Sequence, residues 1–275
     1  MKLITNILIG GKAGNGIDKT STILAKSLVK IGYYSFVYRE YGSYIRGGHD
    51  FSIVAFSNKK INSHGYNLDA ILALDEGTIK NHKDKLKSEG IIITSEKMNH
   101  KNIVTLNYKE ILEKFNAPPI TKNSAFLGCF FKIFNLPIKP LLEELKKEVG
   151  ELNEKIALEA FEKTKYKIRK LSKPEGKRKK IFIDGTSAVG LGSIYYGLDF
   201  YFAYPMTPAT KLLHFLSSLR EKYDIKTFLL ENEIAVVNAS IGSNFAGAIS
   251  MVGTSGGGFD LMAETLSLQG MSEVP

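Results

Sequence analysis

The sequence has no tryptophan and a single cysteine, Cys129, in 275 residues. One cysteine excludes a disulfide framework within the chain. It also excludes an iron–sulfur cluster held by this chain alone, which takes about four thiolates. Long apolar runs are missing as well: none approaches the roughly 18 residues of a membrane span, and no segment has the basic, apolar, small-residue order of a signal peptide. A cytoplasmic protein without a membrane partner is therefore expected. Acidic residues are scarce in one place only. Between residues 163 and 180 there are ten Lys or Arg against the single acid Glu175, so this stretch carries the entire formal excess of +9. It contains Pro174 and Gly176, and Tyr166 is its only aromatic. It reads as a solvated tether between two domains rather than a nucleic-acid platform, which interleaves aromatics with its charges.

Ahead of that stretch, strand and helix patterns alternate. Leu3 to Ile9 is an apolar strand that runs into Gly10-Gly11-Lys12-Ala13-Gly14-Asn15-Gly16, followed by an amphipathic helix from Ile17 to Ile31. A strand, a glycine-rich loop and a helix N-terminus form a cradle for phosphate or another anion. The spacing matches neither a P-loop nor the dinucleotide fingerprint, so Gly11, Gly14 and Gly16 fit a ligand site and a merely tight turn equally. Tyr34 to Arg39 and Phe51 to Phe56 read as strands around the loop Tyr41 to His49, where Arg46 could meet an anion or pin the loop. His49, beside Asp50, reads as a structural hydrogen-bonder. Further strands are expected at 70–74, 90–94 and 103–106, and helices at 78–86, 121–135, 140–150 and 153–165. Asp75 and Glu76 read as the acidic start of a helix, and Cys129 as buried and inert.

Beyond the basic stretch, Lys180 to Asp184 reads as a strand and Ala188 to Gly197 as a tightly packed helix. Three loops then sit where an apolar strand gives way to a helix, the usual place for a ligand in an open α/β sheet. Tyr204-Pro205-Met206-Thr207-Pro208 leaves the Thr207 hydroxyl at a loop tip, because both prolines force an extended path. Glu231-Asn232-Glu233 precedes a helix whose positive end favours a carboxylate. Thr254-Ser255-Gly256-Gly257-Gly258 bares backbone to a flat ligand.

These motifs, with Asp184-Gly185-Thr186-Ser187-Ala188 ahead of them and the run from Glu264 to Pro275 behind, resemble the start of the α subunit of 2-oxoacid:ferredoxin oxidoreductases. Thr186 stands where that family usually has Asn, and Met206 where it has Ile. The loops Gly11 to Gly16 and Ser43 to His49 resemble the family's γ domain, which is often fused ahead of α. The fold class implied is α/β: a γ-type α/β domain over 1–165, a basic linker over 166–180, and over 181–275 the first part of a thiamine-diphosphate-binding, pyrimidine-type, doubly wound domain.

The resemblance implies CoA-dependent oxidative decarboxylation of a 2-oxoacid such as pyruvate or 2-oxoglutarate, with electrons passed to ferredoxin. It places Glu233 at the aminopyrimidine ring of thiamine diphosphate, with Glu231 as the near alternative, and Thr207 toward the substrate carboxylate or developing oxyanion. Tyr204, Pro205, Thr254, Ser255 and Gly256 then line the cofactor, while Gly11, Gly14, Gly16 and Arg46 are associated with coenzyme A. A partner β subunit is implied to hold the pyrophosphate, its Mg and the iron–sulfur cluster in a hetero-oligomer. Since the likeness covers only the front of the α subunit, a fragment, a split subunit or a remnant is expected, silent without partners. A non-catalytic assembly module of such a complex is the alternative.

Overall fold

The computed structural model describes residues 4–40, 48–96, 102–166, 171–174, 180–207 and 209–275. These form two compact units, Met1–Phe182 and Ile183–Pro275.

In the first unit, β1 (Thr5–Lys12) is apolar on both faces and sits inside a six-stranded sheet, where only a strand buried on both sides can go. The order is β2-β3-β1-β4-β5-β6, with β2 (Tyr34–Glu40), β3 (His49–Ser57), β4 (Leu68–Ala73), β5 (Leu86–Thr94) and β6 (Ile103–Thr105). β1, β4, β5 and β6 are parallel, whereas β3 runs against β1 and β2 runs against β3. α1 (Ile17–Ile31) ends at Gly32, whose φ of 112° is the left-handed cap that releases the chain into β2.

One face of the sheet carries the larger core. There α4 (Lys122–Ile133) is buried nearly all round, and Phe126, Phe130 and Phe131 are completely buried. It is covered in turn by α5 (Lys139–Val149) and α6 (Glu151–Lys163). Cys129 lies inside this core, and burial pushes its thiol up to about 11, which fits the inert role expected of it. α1 is clamped to α5 by charge: Lys26 and Lys19 reach Glu148 at 2.6 and 2.5 Å, and Lys30 reaches the buried Glu144 at 2.7 Å. The hydrogen bonds from Lys19 and Lys26 hold the Glu148 carboxyl down at about 2. On the other face, Leu8, Ile53, Ile71 and Ile92 pack with Ile79 of α2 (Glu76–His82).

Two expectations need correction, and one helix was missed. The helix foreseen at 78–86 starts earlier, at Glu76, because Asp75 caps it through Thr78 N at 2.9 Å, and it ends at His82, where the chain tightens into a 3-10 turn over Lys83–Lys85 before β5 begins at Leu86. The seven-residue α3 (Tyr108–Lys114) was not foreseen; its apolar face is too short to show a period. Residues 180–184 form no strand, since their side chains serve other ends. The Lys180 ammonium donates to Gly32 O at 2.6 Å over the Tyr34 ring, Phe182 packs on the main core, and Asp184 caps the next helix. Of the stretch expected as a tether, Leu171 packs on the same core and Ser172 O accepts from the Tyr33 hydroxyl.

The second unit is a three-layer sandwich. A parallel sheet β8-β7-β9, with β7 (Phe200–Ala203), β8 (Lys226–Leu229) and β9 (Ser250–Gly253), has α7 (Gly185–Tyr195) and α8 (Thr210–Tyr223) on one face. On the other face α9 (Glu233–Phe245) and α10 (Gly256–Ser272) pack through Phe202, Val236, Val237 and Met262. No described helix is long and apolar enough to cross a membrane.

The α4–α6 contact depends on one glycine. A Cβ at Gly128 would collide with the Ala157 carbonyl of α6 and lie 2.9 Å from its carbon. Gly128→Ala is expected to cost about 1–3 kcal/mol, the usual size of overpacking against backbone that cannot yield. Urea unfolding checks this, and an unchanged midpoint would show that the helices pack otherwise.

Candidate functional site

In the second unit, β7 is the central strand, and the loops after β7, β8 and β9 all leave from the carboxyl edge of the sheet. The N-termini of α7, α8, α9 and α10 return to that edge, so positive helix ends gather there. Two of them cap themselves. Asp184 accepts from Ser187 N at 2.8 Å, and Asn232 accepts from Ala235 N at 2.8 Å. α8 at Ala209 and α10 at Ser255 have no side-chain cap.

The structure separates the two candidate carboxylates. Glu231 is exposed at the strand end, while Glu233, the first residue of α9, is 7% exposed. Among the described residues the Glu233 carboxylate has no hydrogen-bond or ion-pair partner. It folds back onto Gly258 in the first turn of α10. A Cβ at Gly258 would lie 2.6 Å from Glu233 Oε1 and would collide with Thr254 Oγ1. The Thr254 hydroxyl is itself buried without a partner among the described residues. On the other face of the sheet the Tyr201 phenol, wholly buried and without a partner among the described residues, occupies the place a Cβ at Gly253 would take. An orphaned buried hydroxyl costs about 1–3 kcal/mol, so two at one edge mark a place where the fold by itself is incomplete.

The other expected residues lie around this centre. Tyr204 is half-buried, whereas Pro205 and Thr207 are exposed on the loop that closes into α8 through Thr210 N to Met206 O at 3.0 Å. Pro208 lies outside the described residues. Ser255 and Gly256 begin α10, and Gly256 and Gly257 have open space where a Cβ would go. One expectation shifts here. Of the three glycines read as baring backbone to a ligand, Gly258 instead makes room for the chain's own Glu233 and Thr254. The roles of Gly258, Gly253 and Tyr201 were missed. The only signal in the sequence was the glycine run, which does not say which member is crowded.

The first unit holds the remaining candidates. Gly14 and Gly16 have φ of 90° and 70°, the left-handed backbone that favours glycine, and Gly16 starts α1 with no side-chain cap. Gly11 is constrained by space, since a Cβ would sit 3.2 Å from Leu74 Cβ. Gly16, Thr20 and Asn123 line a cavity of about 440 Å³ whose far wall is apolar, with Ile23, Leu127 and Leu145. Arg46 lies outside the described residues. His49 is indeed a structural hydrogen-bonder, but its partner is His82, Nε2 to Nε2 at 2.8 Å. Burial first, then His49 and Lys85, push His82 down to about 4.

The profile of the family described as pyruvate ferredoxin/flavodoxin oxidoreductase matches residues 6–165. The chain belongs to that family. A second profile, pyruvate flavodoxin/ferredoxin oxidoreductase, thiamine-diphosphate-binding, matches residues 191–275. A 2-oxoacid:ferredoxin oxidoreductase subunit alpha from Sulfolobus sp is 27% identical over 335 aligned residues, covering 98% of this chain and 52% of that protein. The solved 2-oxoglutarate:ferredoxin oxidoreductase from Magnetococcus marinus, with 2-oxoglutarate, coenzyme A and succinyl-CoA bound, superposes at a TM-score of 0.85 with 26% identity. It covers 100% of this chain and 51% of its own. A keto/oxoacid ferredoxin oxidoreductase gamma subunit from Geobacter sulfurreducens shares the fold of 59% of the chain, and 97% of it is covered, at a TM-score of 0.52 and 23% identity. The chain thus spans about half the length of the α subunit and the oxidoreductase chain it matches.

Two outcomes follow from the packing. Gly258→Ala pushes a methyl against Glu233 and Thr254, so an expected loss of about 1–3 kcal/mol should appear as a lower thermal midpoint of the second unit. A midpoint equal to wild type would mean that this approach is not as close as described. For His82, the unfolded side chain takes a proton near 6.5 while the folded one resists until about 4. Stability is therefore complete above about pH 6.5 and declines as pH falls toward 4. His82→Gln should flatten that slope in unfolding titrations across this range.

Proposed function

We propose that this chain is the γ–α part of a 2-oxoacid:ferredoxin oxidoreductase, which oxidatively decarboxylates a 2-oxoacid to its acyl-CoA and passes the electrons to ferredoxin. The observation that carries the reading is Glu233, a residue 7% exposed whose carboxylate has no partner among the described residues, at the carboxyl edge of a parallel sheet. A buried carboxylate is costly unless something pairs with it, and the aminopyrimidine ring of thiamine diphosphate offers the hydrogen-bonding nitrogen it lacks. Thiamine diphosphate held there would supply a nucleophilic carbon for the 2-oxoacid carbonyl. Glu233 holds and shares the proton at the ring nitrogen. Tyr204, Pro205, Thr254, Ser255 and Gly256 form the wall that orients the ring, and the Thr207 hydroxyl at the exposed loop tip faces the substrate carboxylate or oxyanion.

In the first unit, Gly11, Gly14 and Gly16 present the uncapped start of α1 to an anion, which suits a phosphate of coenzyme A. We assign Arg46 to the same ligand. The neighbouring protein from Magnetococcus marinus was solved with 2-oxoglutarate and coenzyme A, and these are the substrates we favour for the present chain.

The reading needs other polypeptides. A partner β subunit would carry the pyrophosphate, its Mg and the iron–sulfur cluster, because this chain has one cysteine and that one is buried. The exterior of the second unit suits burial in such an assembly: Tyr195, Tyr196, Phe245 and Met271 are 79–84% exposed. By domain, residues 1–165 form the γ-type part, 166–180 the basic connection and 181–275 the pyrimidine-type part.

Glu233→Gln in the complex reconstituted from the full-length polypeptide and its partners tests the proposal. Coenzyme-A-dependent viologen reduction by 2-oxoglutarate should fall by about 10²–10⁴-fold, the usual worth of a positioned proton-transfer group, while the complex elutes as wild type. Loss of assembly would point to a docking role instead, and unchanged turnover would sink the assignment.

A further inference from the structure

Glu233 and Thr254 are placed together by a glycine that neither the catalytic reading nor the cofactor requires. Thr254 leaves β9, Glu233 opens α9, and the two side chains close on the same point beside Gly258, where a Cβ would collide with Thr254 Oγ1 and lie 2.6 Å from Glu233 Oε1. The Thr254 hydroxyl is buried, and no described residue pairs with it or with the Glu233 carboxylate. A buried donor without a partner and a carboxylate oxygen that shares with it the space over a glycine are a poised hydrogen bond. Two of the three glycines at the head of α10 have open space at the Cβ position. The third is crowded by these two side chains.

We propose that Thr254 is a positioning residue for Glu233: its hydroxyl donates to one carboxylate oxygen and leaves the other to face the aminopyrimidine ring. The inference rests on the assignment of Glu233 made above. A staggered rotation about the Thr254 Cα–Cβ bond redirects Oγ1 without moving backbone. The hydrogen bond selects one orientation of a carboxylate that otherwise turns freely about its last torsion, and one hydrogen bond to a charged group is worth enough to hold it. Thr254 thus acts through Glu233 and does not itself exchange a proton with the ring.

The test compares Thr254→Val, which keeps shape and removes the hydroxyl, with Thr254→Ser, which keeps the hydroxyl. Both are made in the full-length polypeptide reconstituted with its partners. Three quantities are read: the thermal midpoint without cofactor, the dissociation constant of thiamine diphosphate from quenching of tyrosine fluorescence, and the rate of deuterium exchange at C2 of the bound cofactor by quenched NMR. Thr254→Val should leave the midpoint equal to or above wild type, weaken cofactor binding, and slow C2 exchange by about tenfold or more, the size of one hydrogen bond to a charged group. Thr254→Ser should stay within about twofold of wild type, because it retains the donor. Combined with Glu233→Gln, Thr254→Val should add nothing. Wild-type exchange in Thr254→Val, equal impairment in Thr254→Ser, or an undiminished effect on the Glu233→Gln background would each overturn the inference. If Thr254→Val fails to fold, Thr254→Ala carries the same expectations for binding and exchange. Wild-type exchange in Glu233→Gln would bring down the catalytic reading itself, whereas slow exchange there with normal exchange in Thr254→Val would bring down this inference alone.

Discussion

Parallel pairing on both sides of β7 governs the second unit. Because β8 and β9 run the same way as β7, each return to the start of the sheet must be a helix, and each helix must begin again at the carboxyl edge. Loops of quite different composition are thereby delivered to one place. The pairing Ala203 with Leu229 and with Gly253 sets the depth at which the chain turns, and so brings Thr254 and Glu233 to the same level. Without that register the carboxylate at the head of α9 would meet solvent rather than the first turn of α10.

Much of this organisation was legible. α1 spans Ile17 to Ile31 as expected, because its apolar period is long and bracketed by Gly16 and Gly32. The three loops of the second unit were legible as strand-to-helix junctions, and the resemblance carried by their motifs supplied a role for each. Other features depend on contacts distant in sequence. Residues 180–184 have the apolar content of a strand, but a strand needs a partner ladder, and here Lys180 and Asp184 are taken up by a carbonyl and a helix end. Gly256, Gly257 and Gly258 are identical letters, and only the return of Glu233 from α9 distinguishes the last. The partner of His49 was equally hidden, since nothing local points from the start of β3 to the end of α2.

The two units solve their cores differently. The first buries an apolar helix, α4, against a sheet on one side and a helical layer on the other, so its large aromatics are wholly enclosed. The second divides its apolar residues between two small clusters on opposite faces of three strands and leaves many large side chains outside. The polar edge of that second sheet is thus paired with an apolar exterior, a combination suited to a site finished by another surface.

The enclosed thiol of Cys129 has a practical corollary. A thiol that is the sole one of the chain, fully buried and held protonated at neutral pH, reacts with an alkylating reagent only when the packing around it loosens. Its labelling rate therefore acts as a clock for the opening of the first unit, free of any background from the second.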